Sequence, residues 1–267
     1  MNQEADGQRG GWDSEDIASW YADADWGITP DEMRIIAESW AAIREANVLD
    51  IGIGSGRTCG YLAPAALRYV GIDYSAAMIR AAAKRFPGLD LRVGDARKLD
   101  FAAGEFSFVM FSFNGIDYID PAERNAVLAE AFRVLKPGGY FTLSSHNRKC
   151  LDGKVPEFTP PAHSRRPGNV LRRLVRKMKE AKTRRIALAN FGKIRDAQWV
   201  KDDIAYVCDG GHDSKFLTCY ISSSEQQRQL VAAGFSPEIL VLSHDGRTAD
   251  ALARDPWLYY LARKPIV

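Results

Sequence analysis

The sequence has no long hydrophobic run and few cysteines. Residues 1–16 are polar, and a membrane-spanning helix needs roughly 20 predominantly apolar residues in a row, which the chain does not offer. Its four cysteines, Cys59, Cys150, Cys208 and Cys219, have no paired spacing. That spacing argues against a disulfide framework and against a common zinc site. These absences predict a cytoplasmic protein with no signal peptide, no transmembrane segment and no bound metal.

The charge is distributed unevenly along the chain. The net charge at pH 7 is +2, but the segment from Arg165 to Arg185 holds ten Lys or Arg residues and a single acid, Glu180. That segment therefore carries +9 and leaves −7 for the remainder. Apolar residues recur at helical spacing among its cations: Val170, Leu171, Leu174, Val175 and Met178. The pattern predicts an amphipathic basic helix.

Three roles for this basic helix remain open. The first role is a solvated helix packed over a substrate pocket. The second is a peripheral membrane contact that recognises an anionic or lipid-linked substrate, and the third is a nucleic-acid contact. The absence of interleaved aromatic residues for base stacking counts against nucleic acid without excluding it.

Short apolar runs alternate with helical stretches from Asn47 onward, after a helix over Asp31–Ala46. This alternation is typical of repeated βα units around a parallel sheet. Proline cannot continue a helix, and glycine supplies a positive φ, so Lys136–Gly139 marks a helix end. We predict strands at Val48–Ile51, Tyr69–Ile72, Leu89–Val93, Phe106–Phe111, Tyr140–Ser145, Glu238–Leu242 and Trp257–Ala262, and further helices at Thr58–Leu67, Ala76–Phe86, Ala122–Leu135 and Ser224–Ala233.

The alternation is lost between Asn147 and Ser222. About 75 residues are too many for an ordinary connection, so this stretch is an insertion with structure of its own. We expect an α/β fold with a doubly wound, seven-stranded, mostly parallel sheet, an antiparallel edge strand and a partly helical insertion before the last helix and strands. Its parts are an N-terminal lid and helix (1–46), the α/β domain (47–146 and 223–267) and the insertion that caps the site and carries the basic helix (147–222).

A glycine-rich turn follows the first strand. Val48-Leu49-Asp50-Ile51 runs into Gly52-Ile53-Gly54-Ser55-Gly56, and glycines let a ligand approach the backbone at the carboxyl end of a parallel strand. Asp73 stands 21 residues after Gly52, where an acid accepts hydrogen bonds from ribose hydroxyls. Asp95 and the N–H of Ala96 form a donor and acceptor set that suits the edge of an adenine. The loop and Asp73 alone are shared with nicotinamide dehydrogenases.

In this combination the chain resembles the class I S-adenosylmethionine-dependent methyltransferase superfamily. The resemblance covers residues 48–146 and includes Val134-Leu135-Lys136-Pro137-Gly138-Gly139, while Trp257–Lys264 looks like that superfamily's final antiparallel strand. It implies S-adenosylmethionine as the cofactor. The residues it implies as cofactor contacts are Tyr21, Asp50, Gly52, Gly54, Gly56, Asp73, Tyr74, Asp95, Ala96 and Phe111.

Within that set, the resemblance assigns the methionine end of the cofactor to Asp50 and the glycine loop. It assigns the ribose to Asp73, and the adenine to Asp95 and Ala96. Tyr21 belongs to an aromatic N-terminal segment that closes over the cofactor, and hydrophobic packing is the alternative role of that segment.

The stretch after the fourth strand is expected to face the methyl acceptor. Asn114, Tyr118 and Asn147 are the candidate substrate contacts, and this stretch is not the Asn/Asp-Pro-Pro-aromatic clamp of enzymes that methylate adenine or cytosine amines. The candidate catalytic residues are His146, His212 and Asp117. An unperturbed histidine pKa lies near neutrality and suits a general base, whereas Asp117 has helix capping as its alternative role.

The expected reaction is methyl transfer to an oxygen or nitrogen of a small, anionic or sugar-containing metabolite. Two other functions remain open: an RNA methyltransferase, and a non-catalytic protein that binds S-adenosylmethionine as the partner of an enzyme. The oligomeric state is left open.

Overall fold

The computed structural model describes residues 11–24, 27–151, 155–158, 170–250 and 253–266, and only the backbone of residues 170–174 and 176. The first part of the basic segment, up to residue 169, lies outside the described residues. The helices are α1 (Glu15–Asp23), α2 (Pro30–Glu38), α3 (Trp40–Ile43), α4 (Cys59–Leu62), α5 (Ala76–Arg85), α6 (Arg124–Val134), α7 (Val170–Ile194) and α8 (Ser223–Ala232). The strands are β1 (Asn47–Ile51), β2 (Arg68–Asp73), β3 (Asp90–Val93), β4 (Phe106–Phe111), β5 (Leu135–Asn147), β6 (Trp199–Val200), β7 (Ile204–Val207), β8 (Thr218–Ile221), β9 (Leu240–Ser243) and β10 (Trp257–Arg263).

The strands form one mixed sheet. Strands β3, β2, β1, β4 and β5 lie side by side in that order and run parallel. Strand β10 pairs antiparallel with β5, and β9 pairs antiparallel with β10. The predicted α/β class and mostly parallel sheet are confirmed. The strand order reverses between β1 and β4, and open α/β sheets bind ligands at such a switch point, outside the carboxyl ends of the strands.

The insertion adds three strands to this sheet, so the predicted count of seven strands was too low: the described residues form a sheet of ten. Strand β8 pairs parallel with the end of β5, at His146↔Tyr220, beyond Leu143 where the pairing of β5 with β4 ends. Strand β7 pairs antiparallel with β8, and β6 with β7. Because β10 already occupies the other edge of β5 at His146, β8 takes over the edge that β4 leaves. The insertion therefore lies at the carboxyl end of β4.

Two predicted helices differ from those in the structure, and a third ends within one residue of its predicted end. The helix predicted over Asp31–Ala46 is two helices, α2 and α3, which meet at Ser39. The helix predicted over Thr58–Leu67 is the short α4, which ends just before Pro64 because proline has no N–H to continue the ladder. Helix α6 ends at Val134, and Lys136–Gly139 belong to β5, where the pairing with β4 shifts register.

Both faces of the sheet are covered by helices. Leu49 and Val109 pack on one face in a cluster with Val127 of α6 and Leu230 of α8. Val48 and Phe108 pack on the other face with Ile35 of α2. Successive strand residues point to opposite faces, so alternate apolar residues of β1 and β4 enter the two layers. In the described part of the chain, no helix combines the length and the apolar character needed to span a membrane.

Candidate cofactor and acceptor site

A cavity opens at the carboxyl ends of β1 and β4. Eight of the ten residues implied as cofactor contacts line it: Tyr21, Gly52, Gly54, Asp73, Tyr74, Asp95, Ala96 and Phe111. Of the predicted substrate contacts, Tyr118 lines it as well. The switch point of the sheet thus brings together residues that are far apart in the sequence.

The glycine loop has a backbone that other residues adopt with strain. Gly52 and Gly54 have φ values of +66° and +54°. A Cβ on Gly52 would lie 2.6 Å from the ring of Phe111, whereas a Cβ on Gly54 would meet nothing closer than the Met78 sulfur at 4.0 Å. Gly52 therefore packs against the β4 end, and Gly54 leaves open space in which a ligand can lie against the backbone.

Asp73 is a buried carboxylate held in one orientation on the cavity wall. Its Oδ1 accepts a hydrogen bond from the Ser75 N–H, and its Oδ2 accepts one from the Gly54 N–H, both at 2.9 Å. Burial raises the pKa of Asp73 to about 6, against the effect of these two hydrogen bonds. Each oxygen keeps a further lone pair, so the carboxylate is able to accept hydrogen bonds from the two hydroxyls of a ribose.

Asp95 is tied to a lining residue that was not predicted from the sequence, Arg97. The guanidinium and the backbone N–H of Arg97 both donate to the Asp95 carboxylate, the latter at 2.9 Å. Nη1 of Arg97 also donates to Glu123 at 2.5 Å. This network fixes the carboxylate at the end of β3 that is expected to meet the adenine.

Asp50 and Gly56 lie behind the loop and do not line the cavity. Oδ2 of Asp50 accepts hydrogen bonds from the Thr58 hydroxyl and, at 2.9 Å, from the Tyr69 hydroxyl. Its Oδ1 is buried and has no hydrogen-bond partner in the described part of the chain. Burial raises the pKa of Asp50 to about 6. The side chain therefore braces the start of α4, and its contact with the methionine end stays a prediction.

A buried ion pair that was also not predicted from the sequence joins the end of the glycine loop to helix α2. Arg57 lines the cavity and donates two hydrogen bonds to Glu32 of α2, which is fully buried. The Tyr259 hydroxyl of β10 donates to the same carboxylate at 2.6 Å. Burial alone would raise the pKa of Glu32, but Arg57 and these hydrogen bonds outweigh it and lower the pKa below its usual value. Three parts of the chain are thereby locked together beside the cofactor loop.

Aromatic side chains from three segments line the cavity and form its aromatic wall. Trp12 and Tyr21 come from the N-terminal segment, Tyr118 from the turn after β4 and Tyr206 from β7. Behind them, Phe216 stacks on Trp12 with ring centroids 4.6 Å apart. The N-terminal segment and the insertion therefore meet over the cavity.

His212 lies in this aromatic cluster, one layer behind the wall. Its ring centroid is 4.6 Å from that of Trp12, and its Nε2 is 3.4 Å from the Tyr21 hydroxyl, which lines the cavity. Burial lowers the pKa of His212, and burial raises that of Tyr21 to about 12. At neutral pH the histidine is therefore neutral and able to accept the hydrogen bond that the protonated phenol donates.

His146 and Asp117 also come together, but neither lines the cavity. Nδ1 of His146 lies 2.8 Å from Oδ2 of Asp117. The Asp117 side chain is fully buried, and its Oδ1 forms an ion pair with the buried Arg124 at 2.8 Å. Nε2 of His146 lies 3.4 Å from the Asn114 side-chain nitrogen. The carboxylate orients the imidazole, and Arg124, absent from the sequence prediction, supplies the opposite charge.

The two predicted asparagine contacts do not line the cavity. Asn147 donates to the backbone carbonyl of Ala253 at 2.9 Å and accepts from the Lys149 N–H, so its side chain fastens the end of β5. Asn114 has a positive φ of 60° and its N–H donates to the Ser144 hydroxyl at 2.7 Å. Both residues shape the backbone around the site.

Known proteins share this sequence region and this fold. Residues 48–139 match the family model of a methyltransferase domain. A demethylmenaquinone methyltransferase from Renibacterium salmoninarum is 35% identical over 106 residues, which cover 40% of this chain and 44% of that protein. The chain spans less than half of the length of the curated relatives it matches.

Two solved structures extend the likeness to most of the chain. An S-adenosylmethionine-dependent methyltransferase from Mesorhizobium loti superposes with a TM-score of 0.60 at 18% identity, covering 88% of this chain and 98% of that one. The 1,6-didemethyltoxoflavin-N1-methyltransferase of Burkholderia thailandensis, solved with 1,6-didemethyltoxoflavin and S-adenosylhomocysteine, has a TM-score of 0.50 at 18% identity and covers 88% of this chain and 80% of its own.

The matched domain contains the glycine loop, Asp73 and Asp95, and the cavity they line suits an adenosyl ligand. S-adenosylmethionine, which the name of the Mesorhizobium structure gives as the methyl donor, is an adenosyl ligand of this kind. Residues 48–139 of the chain match a methyltransferase domain, and the chain has the fold of S-adenosylmethionine-dependent methyltransferases.

Proposed function

We propose that this protein transfers a methyl group from S-adenosylmethionine to a small acceptor that carries a planar ring. The observation that carries the proposal is the continuity of the cavity. One set of walls runs from Asp73 and the glycine loop to the aromatic residues Trp12, Tyr118 and Tyr206. A donor held against Asp73 and the glycine loop and an acceptor held among the aromatic residues therefore share one cavity.

The lining favours a flat apolar ring over the anionic or sugar-containing acceptor expected from the basic segment. The two cations of the lining, Arg57 and Arg97, are both engaged in ion pairs with carboxylates of this chain. Aromatic side chains stack on planar rings and also attract the positive sulfonium of the donor. The names of the Renibacterium relative and of the toxoflavin enzyme both describe ring-bearing acceptors, which supports this choice.

The atom that receives the methyl group is an oxygen, a nitrogen or a carbon activated by a ring hydroxyl. The S–CH3 bond of the cofactor breaks as the new bond to the acceptor forms, and the acceptor's proton leaves to a base. The bound cofactor supplies an activated methyl group, so much of the rate comes from holding donor and acceptor in line. The described walls perform that task.

We propose that Tyr21 and His212 take this proton. Tyr21 lines the cavity, and its hydroxyl lies 3.4 Å from Nε2 of a histidine that burial keeps neutral. The phenol accepts the acceptor's proton as its own moves to His212. His146 with Asp117 is the competing base, favoured by the fixed orientation of its ring but separated from the described lining of the cavity.

An acceptor screen tests the function, and two variants then test the base. Hydroxylated and aminated aromatic compounds are incubated with the protein and S-adenosylmethionine, and products heavier by one methylene are sought by mass spectrometry. Once an acceptor is found, we expect Tyr21→Phe to lower kcat by about a hundredfold, and Tyr61→Phe, at an exposed tyrosine outside the cavity, to leave it unchanged.

Two results would contradict this account. If His146→Gln abolishes turnover and Tyr21→Phe does not, His146 is the base. If S-adenosylmethionine binds but no aromatic acceptor is methylated, the proposed acceptor class is wrong, and the non-catalytic alternative gains support.

A further inference from the structure

Helix α7 carries most of the basic segment and packs on the body of the protein by one side near its C-terminal end. Ala187 is fully buried, and the Asn190 side chain donates to the backbone carbonyl of Asp213 at 3.0 Å. The ring of Phe191 lies 5.7 Å from that of Phe158. These three residues follow the spacings of three and four that define one face of a helix.

The opposite side of α7 is exposed and mixes apolar and basic residues. Val175 and Met178 are 46% and 67% exposed, and Ile186 is 41% exposed. Lys182 and Arg185 continue the same face at helical spacing and are exposed too. An exposed face that combines large apolar side chains with cations is typical of a helix that lies on a membrane surface.

The charge of α7 indicates which partner fits this face. Val170–Ile194 holds nine Lys or Arg residues and one acid, Glu180. A bilayer with anionic headgroups offers negative charge to the cations and acyl chains to Met178 and its neighbours, and the helix lies in the plane of the surface. RNA would offer the charge but no apolar layer, and the described exposed face of α7 has no aromatic side chain for base stacking.

We propose that α7 docks this protein on a membrane surface that contains anionic phospholipid. The packed end of α7 contacts the turn Gly211–Ser214, which also holds His212 against the aromatic wall. Docking through the exposed face therefore places α7 between this turn and the bilayer. This goes beyond the proposed methyl transfer, and it is tested without cofactor turnover.

The test is co-sedimentation of the full chain with vesicles of phosphatidylcholine alone or mixed in equal parts with phosphatidylglycerol. We expect binding to the mixed vesicles only. Lys179→Glu with Lys182→Glu should weaken it by about tenfold or more, because each cation near an anionic surface contributes to binding. Lys84→Glu with Lys136→Glu makes the same charge change at exposed lysines outside α7 and should bind as the unaltered protein does.

A second variant separates the apolar contribution from the charge. Met178→Gln keeps the helix and the charge, and we expect it to weaken vesicle binding even in high salt, where the cations are screened. S-adenosylmethionine binding and far-ultraviolet circular dichroism of each variant show whether it is folded. Failure of the folded, unaltered protein to bind mixed vesicles would overturn the proposal. So would binding of single-stranded RNA through Lys179 and Lys182 with no affinity for vesicles.

Discussion

Replacing Glu32 by glutamine removes the charge that balances Arg57. The Glu32 carboxylate accepts from Arg57 Nη1 at 2.6 Å, from the Tyr259 hydroxyl at 2.6 Å and from the Thr29 N–H at 3.0 Å. The Arg57 side chain is 15% exposed and the Glu32 side chain is not exposed at all. Since arginine does not lose its proton, Glu32→Gln leaves a largely buried cation without its ion-pair partner.

The expected cost follows from that burial. Breaking a buried ion pair by removing one partner typically costs about 3 to 5 kcal/mol. The amide introduced by Glu32→Gln would keep some neutral hydrogen bonds, each worth about 1 kcal/mol, and Arg57 retains some contact with water. We therefore expect the free energy of unfolding to fall by about 3 kcal/mol.

Urea unfolding followed by circular dichroism measures this loss. The matched control is Glu38→Gln on the same helix, where the pair with Arg34 has side chains 49% and 38% exposed, and we expect a loss below about 0.5 kcal/mol. The lowered pKa of Glu32 also predicts that the pair's contribution is present above the unfolded pKa and is lost as the pH falls through the folded value. Equal effects of the two substitutions would refute the reasoning.

Three further predictions concern the cavity. Burial raises the pKa of Asp73 to about 6, and the ionised form accepts the ribose hydroxyls. The affinity for S-adenosylmethionine, measured by calorimetry, should therefore fall roughly tenfold between about pH 8 and about pH 5. If Asp73→Asn shows the same pH dependence, this prediction is wrong. Gly52→Ala should weaken cofactor binding at least tenfold, about 1.4 kcal/mol, because Gly52 has a positive φ and an added Cβ would lie 2.6 Å from Phe111. The control Gly192→Ala, in α7 with open space around it, should bind the cofactor as the unaltered protein does. Phe216→Ala removes a ring that is 2% exposed and stacked on Trp12. Urea unfolding should show that the free energy of unfolding falls by about 3 kcal/mol. A fall below about 1 kcal/mol would mean that the insertion does not pack on the N-terminal segment as described.

Local sequence features were enough to place the glycine loop, Asp73 and Asp95 at one edge of the sheet, where they line the same cavity. The glycine loop, Asp73 and Asp95 each follow a strand directly, and the carboxyl ends of parallel strands meet at one edge of a sheet. Strand and loop together therefore carry enough information to place these residues without knowledge of distant contacts.

The acceptor end depends on contacts between distant segments, which local patterns do not reveal. Tyr21 and His212 are 191 positions apart, and Glu32 and Tyr259 are 227 apart. Strand β8 has only four residues, too few for a clear alternation, so its pairing with β5 was missed. The sequence did contain a signal for the position of each partner of the buried ion pair. Arg57 follows the glycine loop, and Glu32 stands three residues after Thr29 in a capping box.

Calorimetric titration with S-adenosylmethionine and S-adenosylhomocysteine tests the central claim most directly, with NAD as the comparator. We predict that both adenosyl ligands bind, that NAD does not, and that Asp73→Ala loses this binding while Asp196→Ala, at an exposed acid outside the cavity, retains it. Preference for NAD, or full adenosyl binding by Asp73→Ala, would contradict the account of the site.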